Sequence, residues 1–261
     1  MEITFYKYEG TGNDFVMIDN REGTFLKENR KRVAHLCDRR FGIGGDGLIL
    51  LENDEATDFK MVYFNSDGNQ SSMCGNGGRC IVAFAAQLGI IKRETTFSAV
   101  DGLHYATISD DGIVALQMKD VDTIAVHSDS IFLDTGSPHH VQLVSDLDTV
   151  AVKEQGAAIR YSDRYGAAGS NVNFVKQKEA NTFSIRTYER GVEDETLSCG
   201  TGATAVAIAM KVIGKTHANK IQVEVMGGKL EVVFTPLEGR FVDVFLKGPA
   251  TFVFKGTIGV K

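Results

Sequence analysis

Apolar and polar positions alternate with a period of two along most of this chain, and two apolar runs of helical character interrupt the alternation. Residues 3–8 set Ile3, Phe5 and Lys7 on one face and Thr4, Tyr6 and Tyr8 on the other, the pattern of a strand. The same signal predicts short strands at 15–18, 48–51, 59–64, 95–99, 103–109, 113–118 and 123–126. In the second half it predicts strands at 131–134, 173–176, 183–188, 221–225, 229–234, 241–246 and 251–254. Asp101-Gly102 and Asp110-Asp111-Gly112 supply hairpin turns. Residues 26–40 have the spacing of an amphipathic helix with Cys37 on its apolar side, and 152–160 has that of another. The runs starting at Ile81 and Thr204 are apolar nearly all round, so each predicts a helix buried inside its own domain.

Both buried helices start alike. The first is introduced by Cys74-Gly75-Asn76-Gly77 and the second by Cys199-Gly200-Thr201-Gly202, the two cysteines lying 125 positions apart in a chain of 261. Each half therefore reads as short, mostly antiparallel strands plus one buried helix opened by Cys-Gly-x-Gly. The expected class is α+β with two pseudo-symmetric domains, 1–119 carrying Cys74 and 120–249 carrying Cys199.

Composition narrows the class. Apolar content of 43% and charged content of 24% are those of a soluble globular chain. A net charge of −6 gives no electrostatic reason to expect nucleic acid or an anionic membrane as partner. No apolar run reaches the length of a membrane span, and residues 1–6 lack the basic and apolar regions of a secretory signal. The expected location is the cytoplasm, where the four cysteines, Cys37, Cys74, Cys80 and Cys199, stay reduced.

The chemistry gathers at the paired helix starts. A thiol at a helix N-terminus sits among backbone N–H groups and the positive end of the dipole, which lowers its pKa and attracts an anion beside it. Metal and redox readings are weak: there is no C-x-x-C, and no histidine pair lies near Cys74 and Cys80. Residues 41–47 hold four glycines but lack the Gly-Lys-Ser/Thr ending of a phosphate loop. Two thiols facing one carbon that bears a carboxylate and an ammonium group suit a different task. One thiolate removes the α-proton, the opposite thiol returns a proton to the other face, and configuration inverts. The helix starts hold the carboxylate, and no pyridoxal phosphate or other cofactor is called for.

Gly12-Asn13-Asp14-Phe15, Gly44-Gly45-Asp46-Gly47, Phe64-Asn65-Ser66-Asp67-Gly68, the two cysteine blocks and Glu189-Arg190-Gly191 together resemble the diaminopimelate epimerase family, in that family's order and over nearly the whole chain. The resemblance implies a cofactor-independent two-base epimerase that interconverts LL- and meso-2,6-diaminopimelate on the lysine and peptidoglycan route. It implies two domains, each a sheet curled around a central helix, with residues 250–261 returning to the first, and a homodimer. Cys74 and Cys199 match the catalytic cysteines, and His139 and Glu189 match residues beside them that tune the thiols. Gly75, Asn76, Gly200 and Thr201 match the cradle for the reacting carboxylate. Asn13, Asn65, Asn171 and Arg190 match positions that contact substrate amino and carboxylate groups, and Glu189 is counted with the substrate-binding set as well. Two positions depart from the family pattern: Ser137 stands where many members have Asn, and Gly47 where some have Gln. These leave open a racemase of another amino acid, such as histidine, on the same fold. A proline racemase would usually carry His at Asn76, and phenazine-type isomerases lack the cysteine pair. From other classes, a non-catalytic amino-acid-binding module and a thiol redox switch joining Cys74 to Cys199 are the rivals.

Overall fold

The computed structural model describes residues 2–71 and 73–259; Met1, Ser72 and the last two residues lie outside it. The fold is α+β, and the chain divides into two compact units, Met1–Leu116 with Gly248–Lys261, and Gln117–Lys247. The first stretch contains β1 (Glu2–Gly10), β2 (Asn13–Asp19), α1 (Arg30–Cys37), β3 (Gly47–Glu52), β4 (Phe59–Asn65), β5 (Gln70–Ser71), α2 (Gly75–Gln87), β6 (Glu94–Ala99), β7 (Gly102–Ile108) and β8 (Ile113–Gln117). The second contains β9 (Ile124–Val126), β10 (Ile131–Asp134), β11 (Pro138–Leu143), α3 (Val152–Arg160), β12 (Asn171–Glu179), β13 (Thr182–Glu189), β14 (Asp194–Thr196), α4 (Gly200–Val212), β15 (Lys220–Val225), β16 (Gly228–Leu237) and β17 (Arg240–Pro249). Then β18 (Thr251–Gly259) pairs antiparallel with β1, which places the chain end in the first unit.

Strand pairing repeats between the units. In the first, β18, β1, β2, β3, β4, β6, β7 and β8 pair in that order, antiparallel except at β2–β3 and β4–β6. In the second, β9, β10, β11, β12, β13, β15, β16 and β17 pair in that order, antiparallel except at β11–β12 and β13–β15. Parallel neighbours need a crossover. The helices α1 and α3 supply it at matching places, between β2 and β3 and between β11 and β12. Val33, Leu36 and Cys37 of α1 pack on Val16, Leu48 and Leu50, while Val152 of α3 joins Val172, Phe174 and Tyr188.

The other helix of each unit is interior. In α2, all residues from Gly75 to Val82 are buried, and it packs against β1, β2, β3, β7 and β18. In α4, all residues from Gly202 to Met210 are buried, and it packs against β10 to β13, β15 and β16. Helix α1 is shorter than the 26–40 that periodicity predicts. Asn29 accepts from the Arg32 N–H and starts the helix there, and Asp38 takes an extended conformation and accepts from the N–H groups of Arg40 and Phe41. Residues 138–143, where the alternation predicts no strand, form β11, and β5 and β14 are further short strands without a clear alternation.

The second glycine of each Cys-Gly-x-Gly seats the helix against the sheet. A Cβ at Gly77 would meet Ile49 Cδ1 at 3.0 Å and Met61 Cε at 3.5 Å, both ends of flexible side chains. A Cβ at Gly202 would meet Asn173 Oδ1 at 2.5 Å, and that amide is fully buried and held by hydrogen bonds. Gly202→Ala is therefore expected to cost about 1–3 kcal/mol, and Gly77→Ala less, because Ile49 and Met61 can move aside and Asn173 cannot. Urea unfolding of the two variants checks this; equal losses would mean that Asn173 yields as easily as Ile49.

Candidate active site

Each cysteine is the residue at which an extended chain turns into an interior helix. Cys74 has φ −97° and ψ 134°, and Cys199 has φ −125° and ψ 110°. The Cys74 carbonyl accepts from Gly78 N–H at 2.7 Å, and the Cys199 carbonyl from Ala203 N–H at 2.9 Å. Neither sulfur caps its own helix, and neither first turn carries an acidic residue. The opening N–H groups and the positive dipole end are thus left without a negative side chain from within the helix. Cys74 is half-buried and Cys199 nearly buried. Cys37 and Cys80 are core residues whose thiols are pushed up by burial, Cys37 to about 12.

In the first unit a polar network reaches the start of α2 from behind. Asn76 Nδ2 donates to Asn13 Oδ1 at 2.5 Å, and Asn13 Nδ2 donates to Asp46 Oδ2 at 2.9 Å. Arg39 bonds Asp46 at 2.7 Å and grips Asp14 through two nitrogens at 2.7 and 2.9 Å, while Lys7 adds a third contact to Asp14 at 2.7 Å. Burial pushes the Asp14 carboxyl up, but Arg39 and Lys7 outweigh it and hold it at about 2. Asn65, at the end of β4, keeps its side chain exposed while its backbone pairs with Asn69 and Gly68. Beneath the helix start lies Arg79, fully buried. Its guanidinium donates to the carbonyls of Gly75 (3.4 Å) and Pro249 (3.3 Å) and to Thr11 Oγ1 (3.0 Å). Among the described residues no carboxylate forms an ion pair with it.

In the second unit the pairing of β11 with β12 sets His139 opposite Asn171. His139 is fully buried, with Nε2 2.9 Å from Thr201 Oγ1 and Nδ1 3.1 Å from Asn173 Nδ2. Thr201 Oγ1 lies 3.4 Å from Cys199 Sγ. Burial pushes the His139 imidazole down to about 3, with Asp134 pulling up and Arg190 pushing further down, so it is neutral near pH 7. Asn171 Nδ2 donates to Ser137 Oγ (2.8 Å) and to the Pro138 carbonyl (3.0 Å), and its Oδ1 accepts from Arg190 N–H (2.9 Å). Ser137 thus serves as an acceptor for Asn171. Arg190 also donates to the Ala168 carbonyl, and Glu189, the last residue of β13, accepts from Thr196 Oγ1 at 3.0 Å.

Within the first unit the structure therefore joins Asn13 and Asn76 behind Cys74, with Gly75 in the same helix start and Asn65 apart at a strand end. Within the second it joins His139, Gly200 and Thr201 around Cys199, and Asn171 with Arg190. Two further residues, Asn173 and Arg79, take part without being singled out by the sequence. The only sign of either was a polar residue amid apolar neighbours. Among the described residues no group of three or more His, Cys, Asp or Glu side chains is placed to hold a metal ion.

The fold is shared with solved structures. A phenazine biosynthesis protein of the PhzF family from Bacillus anthracis superposes with a TM-score of 0.78 at 14% identity, each chain covered in full. A hydroxyproline epimerase from Agrobacterium vitis superposes at 0.69 with 14% identity, over 98% of this chain and 92% of that one. Sequence places the chain more narrowly. The model of the diaminopimelate epimerase family matches residues 5–124 and 131–253. The diaminopimelate epimerase of Flavobacterium psychrophilum is 66% identical over 98% of this chain and all of its own length. That of Chlorobaculum tepidum is 41% identical over 95% of this chain and 98% of its own. The chain belongs to the diaminopimelate epimerase family, a family of isomerases.

Acid should weaken the site before it weakens much else. Between the ordinary histidine range near pH 6.5 and about 3, the unfolded chain takes a proton at His139 that the folded protein refuses, so stability falls as pH falls through that window. Asp14 adds a loss from below about pH 4 towards 2, where its folded carboxylate must be protonated. The urea midpoint is expected to drop steadily from pH 6.5 to 4, and less steeply in His139→Gln. An unchanged slope in that variant would show that the buried imidazole takes up its proton without cost.

Proposed function

We propose that this chain interconverts LL- and meso-2,6-diaminopimelate by a two-base proton transfer between Cys74 and Cys199, without a cofactor. The observation that carries this reading is the repeated helix start: one strand order built twice, each copy placing a cysteine at the N-terminus of an interior helix. Family membership supplies the substrate, since the relatives named above are diaminopimelate epimerases. The chemistry then follows from what each group can do. A thiolate removes the proton from the α-carbon, the second thiol delivers a proton to the opposite face, and the reverse reaction exchanges the roles. The N–H groups around Gly75, Asn76, Gly200 and Thr201 meet the substrate carboxylate and hold the negative charge that grows as the carbon loses its proton. Arg190 is a cation held in place by Asn171 and the Ala168 carbonyl, suited to a carboxylate. Glu189 and His139 adjust the field at the sulfurs. A homodimer in the cytoplasm completes the proposal.

Incubation of LL-diaminopimelate with the protein in D₂O should place deuterium at the α-carbon with no cofactor added. Absence of exchange would refute the enzyme reading. Cys74→Ala and Cys199→Ala are each expected to lose roughly 10²–10⁴-fold or more in turnover, the scale for removing a positioned acid or base. Near-normal turnover in either variant would remove that cysteine from the mechanism.

A further inference from the structure

Asn173 has no role in the reaction as described, yet it lies at the centre of the second unit's polar interior. It is fully buried on β12 and both ends of its amide are engaged. Nδ2 donates to the His140 backbone carbonyl at 3.0 Å and meets His139 Nδ1 at 3.1 Å, and Oδ1 accepts from Thr187 Oγ1 at 2.9 Å. A backbone carbonyl has only lone pairs to offer, so His140 fixes which end of the amide is nitrogen. The other N–H of that nitrogen then points at His139 Nδ1, which must carry a lone pair to receive it. His139 is thereby the neutral tautomer protonated on Nε2. That N–H lies 2.9 Å from Thr201 Oγ1, which in turn lies 3.4 Å from Cys199 Sγ. A thiolate can only accept, and Thr201, receiving from His139, still has its own proton to give.

The first unit serves as an internal comparison. Its β2–β3 register sets Phe15 opposite Gly47 as β11–β12 sets His139 opposite Asn171, so Phe15 and Ile49 occupy the places of His139 and Asn173. The helix glycines agree, Gly77 facing Ile49 as Gly202 faces Asn173. The fold is thus equally well satisfied by apolar side chains at both positions, and packing alone does not call for an amide there.

We infer that Asn173 is a positioning residue that locks His139 as an Nε2–H donor, so that the chain Asn173, His139, Thr201 aims one hydroxyl hydrogen bond at the Cys199 sulfur. His139 then steadies the Cys199 thiolate and does not take its proton. The inference rests on Cys199 being a reacting thiol, as proposed above. The charged groups acting on His139 from neighbouring elements are Asp134 and Arg190, which oppose each other.

The tautomer is read directly from the ring ¹⁵N signals of labelled wild-type protein between pH 6 and 8, with His139→Gln used for assignment; an Nε2–H, Nδ1-unprotonated ring is expected. Separately, the pH midpoint of Cys199 alkylation is measured in a Cys74→Ala background. Adding Thr201→Val removes the donor and should raise the midpoint by about one pH unit, tenfold in thiolate at fixed pH, the scale of one hydrogen bond to a charged atom. Thr201→Ser should restore it. Asn173→Asp offers only acceptors, draws the ring proton to Nδ1 and should raise the midpoint as well. An Nδ1–H ring in the wild type, or a midpoint unmoved by either substitution, overturns the inference. If Asn173→Asp does not fold, the wild-type spectrum and the Thr201 pair still decide. None of these measurements needs substrate, so failure of α-deuterium exchange in the wild type would be recognised on its own.

Discussion

An interior helix must end somewhere, and each unit depends on how it ends. Helices α2 and α4 are enclosed almost entirely by their sheets, so their backbone groups find most of their partners along their own length. At the N-terminus that accounting runs out: several N–H groups have no partner within the helix. Neither helix supplies a side-chain cap from its first cysteine or an acidic residue in its first turn. The N-terminal ends favour an anion from outside the helix, and in the reading proposed above that anion is the substrate carboxylate. The glycines let the first turn approach the sheet closely, Gly77 against Ile49 and Gly202 against Asn173, and the cysteine stands at that same end. In that reading binding and reactivity arise from one arrangement.

The frame is built twice, but the groups supporting the two sulfurs differ. Behind Cys74 the first unit sets Asn13, Asp46 and Arg39, and beneath the helix start a buried Arg79 whose partners are all neutral oxygens. A buried cation without a carboxylate adds to the positive field at that end of α2. The position 125 residues later is Thr204, which merely donates to the Gly200 carbonyl at 3.0 Å. The second unit instead leads neutral donors to its sulfur. If Cys74 and Cys199 exchange the roles of base and acid, as proposed above, each does so with a different set of supporting groups.

What could be read in the sequence was whatever is local. The cysteine blocks announce themselves because a tight helix start needs glycines at fixed spacing, and the apolar runs behind them have only one use. The boundaries of α1 were less legible, since Leu26 fits the helical period yet lies outside the helix, which Asn29 starts. The polar chain to Cys199 was not legible at all as a chain. His139 and Asn173 are 34 residues apart and meet only because β11 and β12 run parallel around the α3 crossover. Neither residue's neighbours in sequence reveal the other. Asn173 in particular reads as an ordinary first residue of a strand.

The same nonlocality bears on the residues assigned to substrate by family likeness. Asn13 and Asn171 have their amides engaged within their own units, Asn13 between Asn76 and Asp46, Asn171 among Ser137, Pro138 and Arg190. For either to bond a substrate group, a bond of this set must lengthen or be shared, at a cost of order 1 kcal/mol. In the reading proposed above the helix ends take the carboxylate, while Asn13 holds the Asn76 amide and Asn171 the Arg190 backbone, each within its own unit. Ser137 fits that division: it is shorter than the asparagine of many relatives, yet it keeps Asn171, and through it the Arg190 backbone, in place.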